Sequence, residues 1–341
     1  MIELRRDVLE FSFPEVHPKA KMGIRFIRTL RIPDDGREYL LPPGLGRFPL
    51  RNVDEFANKV PNVWLEHGGV ALPMYQSEAM WIHFNSKFRD ERDYGISGYP
   101  FAIKIATGKV DAITGTVGVD GLGKPQNYLV IPKQPWLDGY CVKKGIIRQF
   151  VAMPLGTGYT AEEQITGEGD YGGLQITVYP MKKEVFERLF SESEEEMVYF
   201  RRTALLSPSL SEMGLAPGGF MRQEIYNDPY GIDSWDTKHT SRCFVHIANS
   251  LVWRSITGEN PPTTPFTAKE YTDAGLPWFD YYDESVKPVE GSDVLAGLKS
   301  VAQKGEEKGD VPLPENTPVT PENIIKLRAG LTKKQVREGR F

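Results

Sequence analysis

Residues 134–181 read QPWLDGYCVKKGIIRQFVAMPLGTGYTAEEQITGEGDYGGLQITVYPM, and this stretch decides the fold class. Its two apolar runs, Ile146–Pro154 and Leu174–Pro180, are rich in Ile, Val, Phe and Tyr and are bounded by Gly or Pro, which is typical of short buried strands. Glycines cluster between the runs, where tight turns and close backbone approach are expected. Thr160 and Glu163 have the spacing of a helix N-terminal capping box and predict one helical turn. The stretch therefore predicts the centre of a β-rich domain that carries a shaped loop.

The length and composition extend this prediction to the whole chain. With 341 residues, the chain exceeds the size at which a single core usually stops growing. Its 33 Gly and 26 Pro favour many short elements and turns over long helices. We predict an α+β fold with a β-rich principal domain at 1–190, an acidic linker at 191–215 and a mixed second lobe at 216–291. A helical C-terminal tail with a Pro-rich linker is predicted at 292–341.

Charge and hydropathy argue against several classes of partner. The net charge of −5 gives no overall attraction for nucleic acid, and no apolar run approaches the roughly 18 residues that a membrane-spanning helix needs. The opening residues MIELRRDVLEFSFP lack the apolar core of a signal peptide. The two cysteines are too few for a disulfide framework and suit a reducing compartment. These features predict a cytoplasmic protein that neither inserts into membranes nor binds nucleic acid.

Short periodic segments predict individual elements. Strands are expected at Val70–Met74, Ala79–Phe84 and Tyr99–Ala106, and a helix is expected at Lys183–Phe190, where apolar side chains recur at spacings of three and four. The segment 241–258 is ambiguous, because its apolar positions fit both a helix and a strand.

The tail carries signals for two helices, at Asp293–Gln303 and from Thr320 through Ala329, the second with a proline at its first position. The apolar side chains of the second helix are Ile324, Ile325, Leu327 and Leu331. Because water would penalise that apolar side, we expect the tail to dock onto the second lobe or a neighbouring subunit. The predicted partner is therefore another protein, or a second copy bound through this tail.

Two motifs resemble cofactor or metal sites, and neither is complete. Gly118–Lys124 matches the spacing of a phosphate-binding loop, but Pro125 replaces the Ser or Thr that would hold Mg²⁺. His239, Cys243 and His246 would share one face of a helix, but no fourth ligand stands at motif spacing. We expect a glycine-rich turn at the first motif, a buried face at the second, and neither a cofactor nor a metal.

Two further sets of residues are candidates for a functional site. Cys141, His246 and Asn249 occur in the chain order of papain-like proteases, although Asn249 follows the histidine by only three residues. In the glycine-rich loop Thr157–Gly173, the residues Tyr159, Glu162, Asp170 and Tyr171 combine aromatic rings with carboxylates, as sites that bind sugars or hydrolyse them do. The competing interpretation is that the loop charges are solvated and that Glu163 serves as a capping residue.

Five segments resemble a family of uncharacterised bacterial and fungal proteins. They are RTLRIPDDG (28–36), QPWLDGYC (134–141), IRQFVAMPLGTGYTAEEQITG (147–167), SRCFVHIANSLVW (241–253) and GLPWFDYY (275–282). The resemblance covers residues 22–300 and implies no activity, cofactor or site.

Two classes of function therefore stay open, and the sequence does not settle whether the protein is an enzyme. The first is a non-catalytic binding or assembly protein, because no catalytic motif is complete. The second is a metal-independent hydrolase that uses Cys141 or the loop carboxylates.

Overall fold

The computed structural model describes residues 1–89, 96–118, 120–190, 212–282, 287–311 and 313–328. The first strands are β1 (Ile2–Arg5), β2 (Val8–Ser12), β3 (Lys21–Thr29), β4 (Glu38–Tyr39), β5 (Gly44–Arg47), β6 (Arg51–Asn52), β7 (Val70–Met74), β8 (Ala79–Asn85), β9 (Lys87–Arg89) and β10 (Ile96–Gly98). The next are β11 (Phe101–Thr107), β12 (Val110–Asp111), β13 (Leu129–Ile131), β14 (Trp136–Leu137), β15 (Gly139–Lys143), β16 (Ile146–Pro154) and β17 (Leu174–Pro180). The last are β18 (Glu212–Arg222), β19 (Ser241–Asn249), β20 (Trp278–Tyr282) and β21 (Ile324–Arg328).

The helices between these strands are short. They are α1 (Asn62–His67), α2 (Ala161–Thr166), α3 (Lys183–Phe190), α4 (Ser250–Thr257), α5 (Ala268–Asp273), α6 (Asp293–Ala296) and α7 (Val301–Lys308). Single 3₁₀ turns occur at Val53–Phe56, Ile232–Ser234 and Pro314–Asn316. Across the described ranges, every helix is too short or too polar to cross a membrane.

One large, mostly antiparallel sheet organises the chain. Its hydrogen-bonded neighbours include the path β1–β2–β3–β8–β16–β18–β19–β17–β11–β13. Strands β4 and β7 add parallel pairs with β18 and β19. The two runs of the opening stretch form β16 and β17, which have partners on both sides, and their apolar side chains lie in the core. The predicted β-rich α+β class is confirmed.

Several local predictions are also confirmed. Strand Val70–Met74 and helix Lys183–Phe190 have the predicted bounds. The capping box of α2 is formed, since the Thr160 side chain accepts from Glu163 N and the Glu163 carboxylate accepts from Thr160 N. The ambiguous segment 241–258 contains both alternatives in succession, because β19 ends at Asn249 and α4 begins at Ser250.

The prediction of a helix from Thr320 through Ala329 is wrong where the structure describes it. Residues Ile324–Arg328 form β21, which pairs in parallel with β20 from Trp278↔Ile324 to Tyr282↔Arg328. Adjacent β-branched isoleucines suit a strand, and hydrogen bonds to a distant strand override the local helix signal. The predicted helix Asp293–Gln303 is likewise divided into α6 and α7. Leu331 lies outside the described residues.

The segment 292–319 packs on its own chain. Its side chains Leu295, Leu298, Val301 and Val319 are buried. Polar contacts fix the same segment, since Asp34 Oδ2 accepts from Ala302 N at 2.9 Å and Arg31 Nη2 donates to Asn316 Oδ1 at 2.8 Å. These four apolar side chains are therefore covered within the protein itself, whereas Val294 and Val311 are 52% and 84% exposed.

Hydrogen bonds connect the two predicted domains. Strands β18 and β19, which contribute to the predicted second lobe, pair with β16 and β17 of the predicted principal domain. Residues 191–211, which hold most of the predicted acidic linker, lie outside the described residues. The division into domains stays a prediction.

Asp138 is a fully buried carboxyl group whose ionisation should affect stability. Gln223 Nε2 donates to its Oδ2 at 2.6 Å, and burial raises the pKa of Asp138 to about 8, against the opposing effect of hydrogen bonds from Gln223 and Trp136. The folded protein thus keeps a proton that the unfolded chain loses near pH 4, so this group reduces stability as pH rises from about 4 to about 8.

We therefore predict that Asp138→Asn flattens the pH dependence of the free energy of unfolding between pH 5 and pH 8.5 by about 1–3 kcal/mol. Urea denaturation at the two pH values measures this difference. The substitution Glu290→Gln, at a side chain that is 83% exposed, is the control and should keep the wild-type slope. An unchanged slope in Asp138→Asn would mean that Asp138 is already ionised in the folded protein at pH 5.

Candidate functional site

A pocket of about 290 Å³ lies on the face of the sheet formed by β11, β17 and β19. Lys104, Thr177 and Arg242 are direct neighbours across these three strands and line it. The next row across the same strands is Ala106, Gln175 and Phe244. Because side chains alternate along a strand, the residues between these positions face the other way, into the core. They are Ile105, Ile176 and Cys243, all buried.

The remaining walls come from the turn after β11 and from two loops. Asp111 and Thr116 follow β11, Gly118 and Gly121 belong to the glycine-rich segment, and Tyr171 precedes β17. The described residues of the glycine-rich segment 118–124 form bends and a turn rather than a helix. Its Gly121 carbonyl accepts a hydrogen bond from Lys104 Nζ at 3.2 Å, so it presents an acceptor where a phosphate-binding loop would present N–H donors.

Asp111 and Lys104 form a nearly buried pair in the pocket wall. Asp111 Oδ1 accepts from Ile113 N at 3.0 Å, Thr114 N at 2.9 Å and Thr114 Oγ1 at 3.0 Å. Oδ2 accepts no hydrogen bond from the described residues and lies 3.9 Å from Lys104 Nζ. Burial raises the pKa of Asp111 and lowers the pKa of Lys104, and each group opposes the shift of the other. One carboxylate oxygen thus accepts the hydrogen bonds of the turn, and the other is buried beside the Lys104 amine without a hydrogen-bond donor from the described residues.

The other two cations of the pocket are also paired with carboxylates. Arg242 Nη2 donates to Asp120 Oδ1, and Arg242 Nε donates to Thr177 Oγ1 at 3.3 Å. Lys109 Nζ donates to Asp170 Oδ2 at 3.1 Å. The pocket therefore presents donors and acceptors side by side with little net charge.

Aromatic rings complete one side. Lys109 Nζ lies 4.3 Å from the centre of the Tyr171 ring. The ring of His67 lies between Tyr171, at 5.3 Å, and Phe244, at 4.6 Å. Tyr171 and Phe244 both line the pocket, so an apolar surface stands next to the charged pairs.

The structure places the predicted ligand-binding residues in two different surroundings, at the pocket and in buried packing contacts. Tyr171 lines the pocket, and Asp170 pairs with Lys109 at its edge. Glu162 is buried away from it, with Oε2 accepting from Gly172 N at 3.0 Å, and burial raises the pKa of this carboxyl group. The Glu162 carboxylate also lies so close to Gly108, whose φ is +53°, that a Cβ there would stand 2.2 Å from Oε2. Glu162 thus accepts a hydrogen bond from Gly172 and packs against Gly108.

Tyr159 also has packing contacts. The side chain is 6% exposed, its hydroxyl donates to Asp310 Oδ2, and Lys308 Nζ lies 4.7 Å from the centre of its ring. Burial, with help from the Asp310 hydrogen bond, raises the pKa of Tyr159 to about 12. Tyr159 therefore joins the loop to the segment that follows α7.

The candidates for a protease-like site have separate surroundings. Cys141 lies on β15, is 2% exposed, and burial raises its pKa to about 12, so the thiol is not activated. His246 lies on β19, where its ring stacks on Trp64 at 4.7 Å and its Nε2 lies 2.9 Å from Gly68 O. Burial lowers the pKa of His246 to about 4. Asn249 is fully buried, and its Nδ2 lies 3.7 Å from Met213 Sδ.

The three residues with partial metal-ligand spacing, His239, Cys243 and His246, are also separated. His239 precedes β19 and its Nδ1 lies 2.8 Å from Asp236 Oδ2, while Cys243 and His246 lie on a strand, where odd and even positions face opposite ways. Nowhere in the described part of the chain do three His, Cys, Asp or Glu side chains cluster closely enough to hold a metal ion.

No family model, curated protein or solved structure matches the chain.

Sequence reasoning missed Lys104, Asp111 and Arg242, although one signal was present. In FAIKIAT (101–107), a lysine alternates with isoleucines in a strand whose other face is apolar. The segments LQITV (174–178) and SRCFV (241–245) show the same alternation. Each polar residue alone suits a solvated strand face, and only the pairing of the three strands brings them into one pocket.

Proposed function

We propose that the protein binds a small polar molecule in the pocket on the sheet face formed by β11, β17 and β19. We further propose that this pocket is a binding site rather than a catalytic site. The observation that carries the proposal is the convergence of Lys104, Asp111 and Arg242, from three separate segments, next to the Tyr171 ring. A concave site with a few convergent polar groups and an aromatic wall is the usual form of a small-molecule site.

Hydrolysis has weaker support. A cysteine mechanism requires a thiolate beside a base, whereas burial raises the pKa of Cys141 and His246 is engaged by Gly68 O. A two-carboxylate mechanism requires both acids to face the same bond. Among the loop carboxylates, Glu162 is turned toward Gly108 and Gly172, and Asp170 is held by Lys109.

Assembly through the tail is the other part of the predicted function. The buried side chains of 292–319 are covered by the same chain, whereas Val311 and Ile324 are 84% and 44% exposed, so the support that the described tail gives to this proposal is limited to a few exposed apolar side chains. Residues 329–341 lie outside the described residues. A cytoplasmic location stays part of our proposal, supported by the two cysteines, which are both free and buried.

The test is a thermal-shift screen of wild-type protein with glucose, galactose, glycine, glutamate and inorganic phosphate. A ligand at 100 times its dissociation constant stabilises the folded state by about 2.7 kcal/mol, which shifts the melting temperature by several degrees. We expect one chemical class to give a saturable shift that is lost in Tyr171→Ala and in Arg242→Ala.

The control variant is Lys144→Ala, because that lysine lies outside the pocket and pairs with the exposed Glu290. It should respond as the wild type does. If all probes leave the melting temperature unchanged, or if Tyr171→Ala and Arg242→Ala respond like the wild type, the pocket is not the binding site.

A further inference from the structure

We propose that the ligand is a neutral, polyhydroxylated molecule of monosaccharide size, with one hydroxyl group bridging Asp111 Oδ2 and Lys104 Nζ. This inference rests on the proposed binding function and specifies its ligand class.

The arrangement of charges favours hydroxyl groups over a simple anion. Lys104, Lys109 and Arg242 each stand beside a carboxylate, of Asp111, Asp170 and Asp120 respectively. An anion such as phosphate would have to compete with those carboxylates for each cation and would be repelled by them. A hydroxyl group carries no net charge, donates to a carboxylate and accepts from an amine, so it fits a cation–carboxylate pair without displacing either member.

Asp111 provides the most specific position for such a hydroxyl. Its side chain is almost completely buried and lines the pocket, and its Oδ1 is already saturated by the turn at Ile113 and Thr114. Its Oδ2 receives no hydrogen bond from the described part of the chain. A buried carboxylate oxygen without a donor is costly, so a ligand hydroxyl that donates to it gains a charge-assisted hydrogen bond. One oxygen atom can span the 3.9 Å from Oδ2 to Lys104 Nζ, and because Oδ2 is closed to solvent, a ligand hydroxyl reaches it only when the surrounding side chains adjust.

The aromatic side of the pocket suits the carbon skeleton of the same ligand. A sugar ring has C–H groups on its faces and hydroxyls around its edge, so it needs an apolar surface next to polar groups. Tyr171 and Phe244 supply that surface. Gln175 and Thr177 add neutral polar groups from β17, the strand between β11 and β19. The volume of about 290 Å³ lies near the lower end of the range of small-molecule pockets, about 300–1,000 Å³, which suits one or two rings.

The experiment is calorimetric titration of the full chain with glucose, galactose and inositol, and separately with glycine and inorganic phosphate. We expect saturable binding of at least one polyol, weakened by about 10-fold to 100-fold in Asp111→Asn. The asparagine keeps one carbonyl oxygen for the Ile113–Thr114 turn and replaces Oδ2 by a donor. Lys104→Met, which removes the amine at similar length, should weaken the same polyol, while Lys144→Ala should not.

The outcomes separate this inference from the proposed function. Binding of glycine or phosphate in this pocket, without binding of any polyol, overturns the ligand class and leaves the binding function standing. Polyol binding that Asp111→Asn and Lys104→Met leave unchanged overturns the bridging role of the pair. The absence of binding by every probe overturns both proposals.

A second measurement covers the case in which Asp111→Asn fails to fold. Backbone amide shifts of the wild-type protein, recorded during titration with the same polyols, should change at Asp111, Gly121 and Gln175. The amide of His83, on a strand that does not line the pocket, is the internal control. Shift changes confined to residues outside the pocket would overturn the inference without any variant.

Discussion

Glu78→Ala is expected to lower the free energy of unfolding by about 3–5 kcal/mol, because it leaves the buried guanidinium of Arg28 without its counter-charge. Arg28 Nε donates to Glu78 Oε1 at 2.7 Å, and both side chains are only 1% exposed. Arg28 Nη2 also donates to Thr263 O at 2.6 Å, which cannot compensate for the charge. Burial raises the pKa of Glu78, and Arg28 opposes this shift. Urea denaturation at neutral pH measures the loss.

The exposed pair of Lys269 and Asp273 is the matched control, since its side chains are 55% and 63% exposed. Asp273→Ala should cost less than about 1 kcal/mol, because water screens both charges. A third variant, Arg28→Met combined with Glu78→Leu, removes both charges and should recover much of the loss. If Glu78→Ala costs no more than Asp273→Ala, the buried pair does not contribute as its geometry indicates.

Phe150→Ala is expected to lower the free energy of unfolding by a similar amount, about 3–5 kcal/mol, through the cavity that it creates. Phe150 is fully buried in β16, where its ring contacts Tyr140 edge to face at 4.9 Å. Its strand pairs with β8 at Met80 and with β18 at Pro217, so the surrounding backbone is held on both sides and cannot easily collapse into the space. Equilibrium denaturation measures this change.

Phe266→Ala is the control for Phe150→Ala, because the Phe266 side chain is 66% exposed and its truncation creates no cavity. We expect a change within about 0.5 kcal/mol for that variant. A loss below about 1 kcal/mol for Phe150→Ala would place the stable centre of the protein elsewhere than in the stretch 134–181.

Function is harder to predict from the sequence than fold, as the candidate site shows. The glycine-rich loop Thr157–Gly173 was identified from its composition. Two of its four predicted ligand-binding residues, Asp170 and Tyr171, lie at the pocket. Tyr159 and Glu162 have the same residue types but are buried in packing contacts. Nothing local distinguishes the two pairs, because the direction of each side chain depends on turns at glycines and on which distant element lies opposite.

The sequence by itself determined the elements whose signals are local. Apolar runs bounded by Gly or Pro and rich in Ile, Val, Phe and Tyr predicted β16 and β17, a shorter apolar run predicted β7, and the Thr160–Glu163 spacing predicted the start of α2, because each of these signals involves residues within one segment. Only the tertiary structure decided that Ile324–Arg328 is a strand, since its hydrogen-bonding partner lies more than forty residues earlier. The pocket depends on pairing in the same way. Lys104, Thr177 and Arg242 become neighbours through the register of three strands, and that register is set by the packing of their buried faces rather than by any one of them alone.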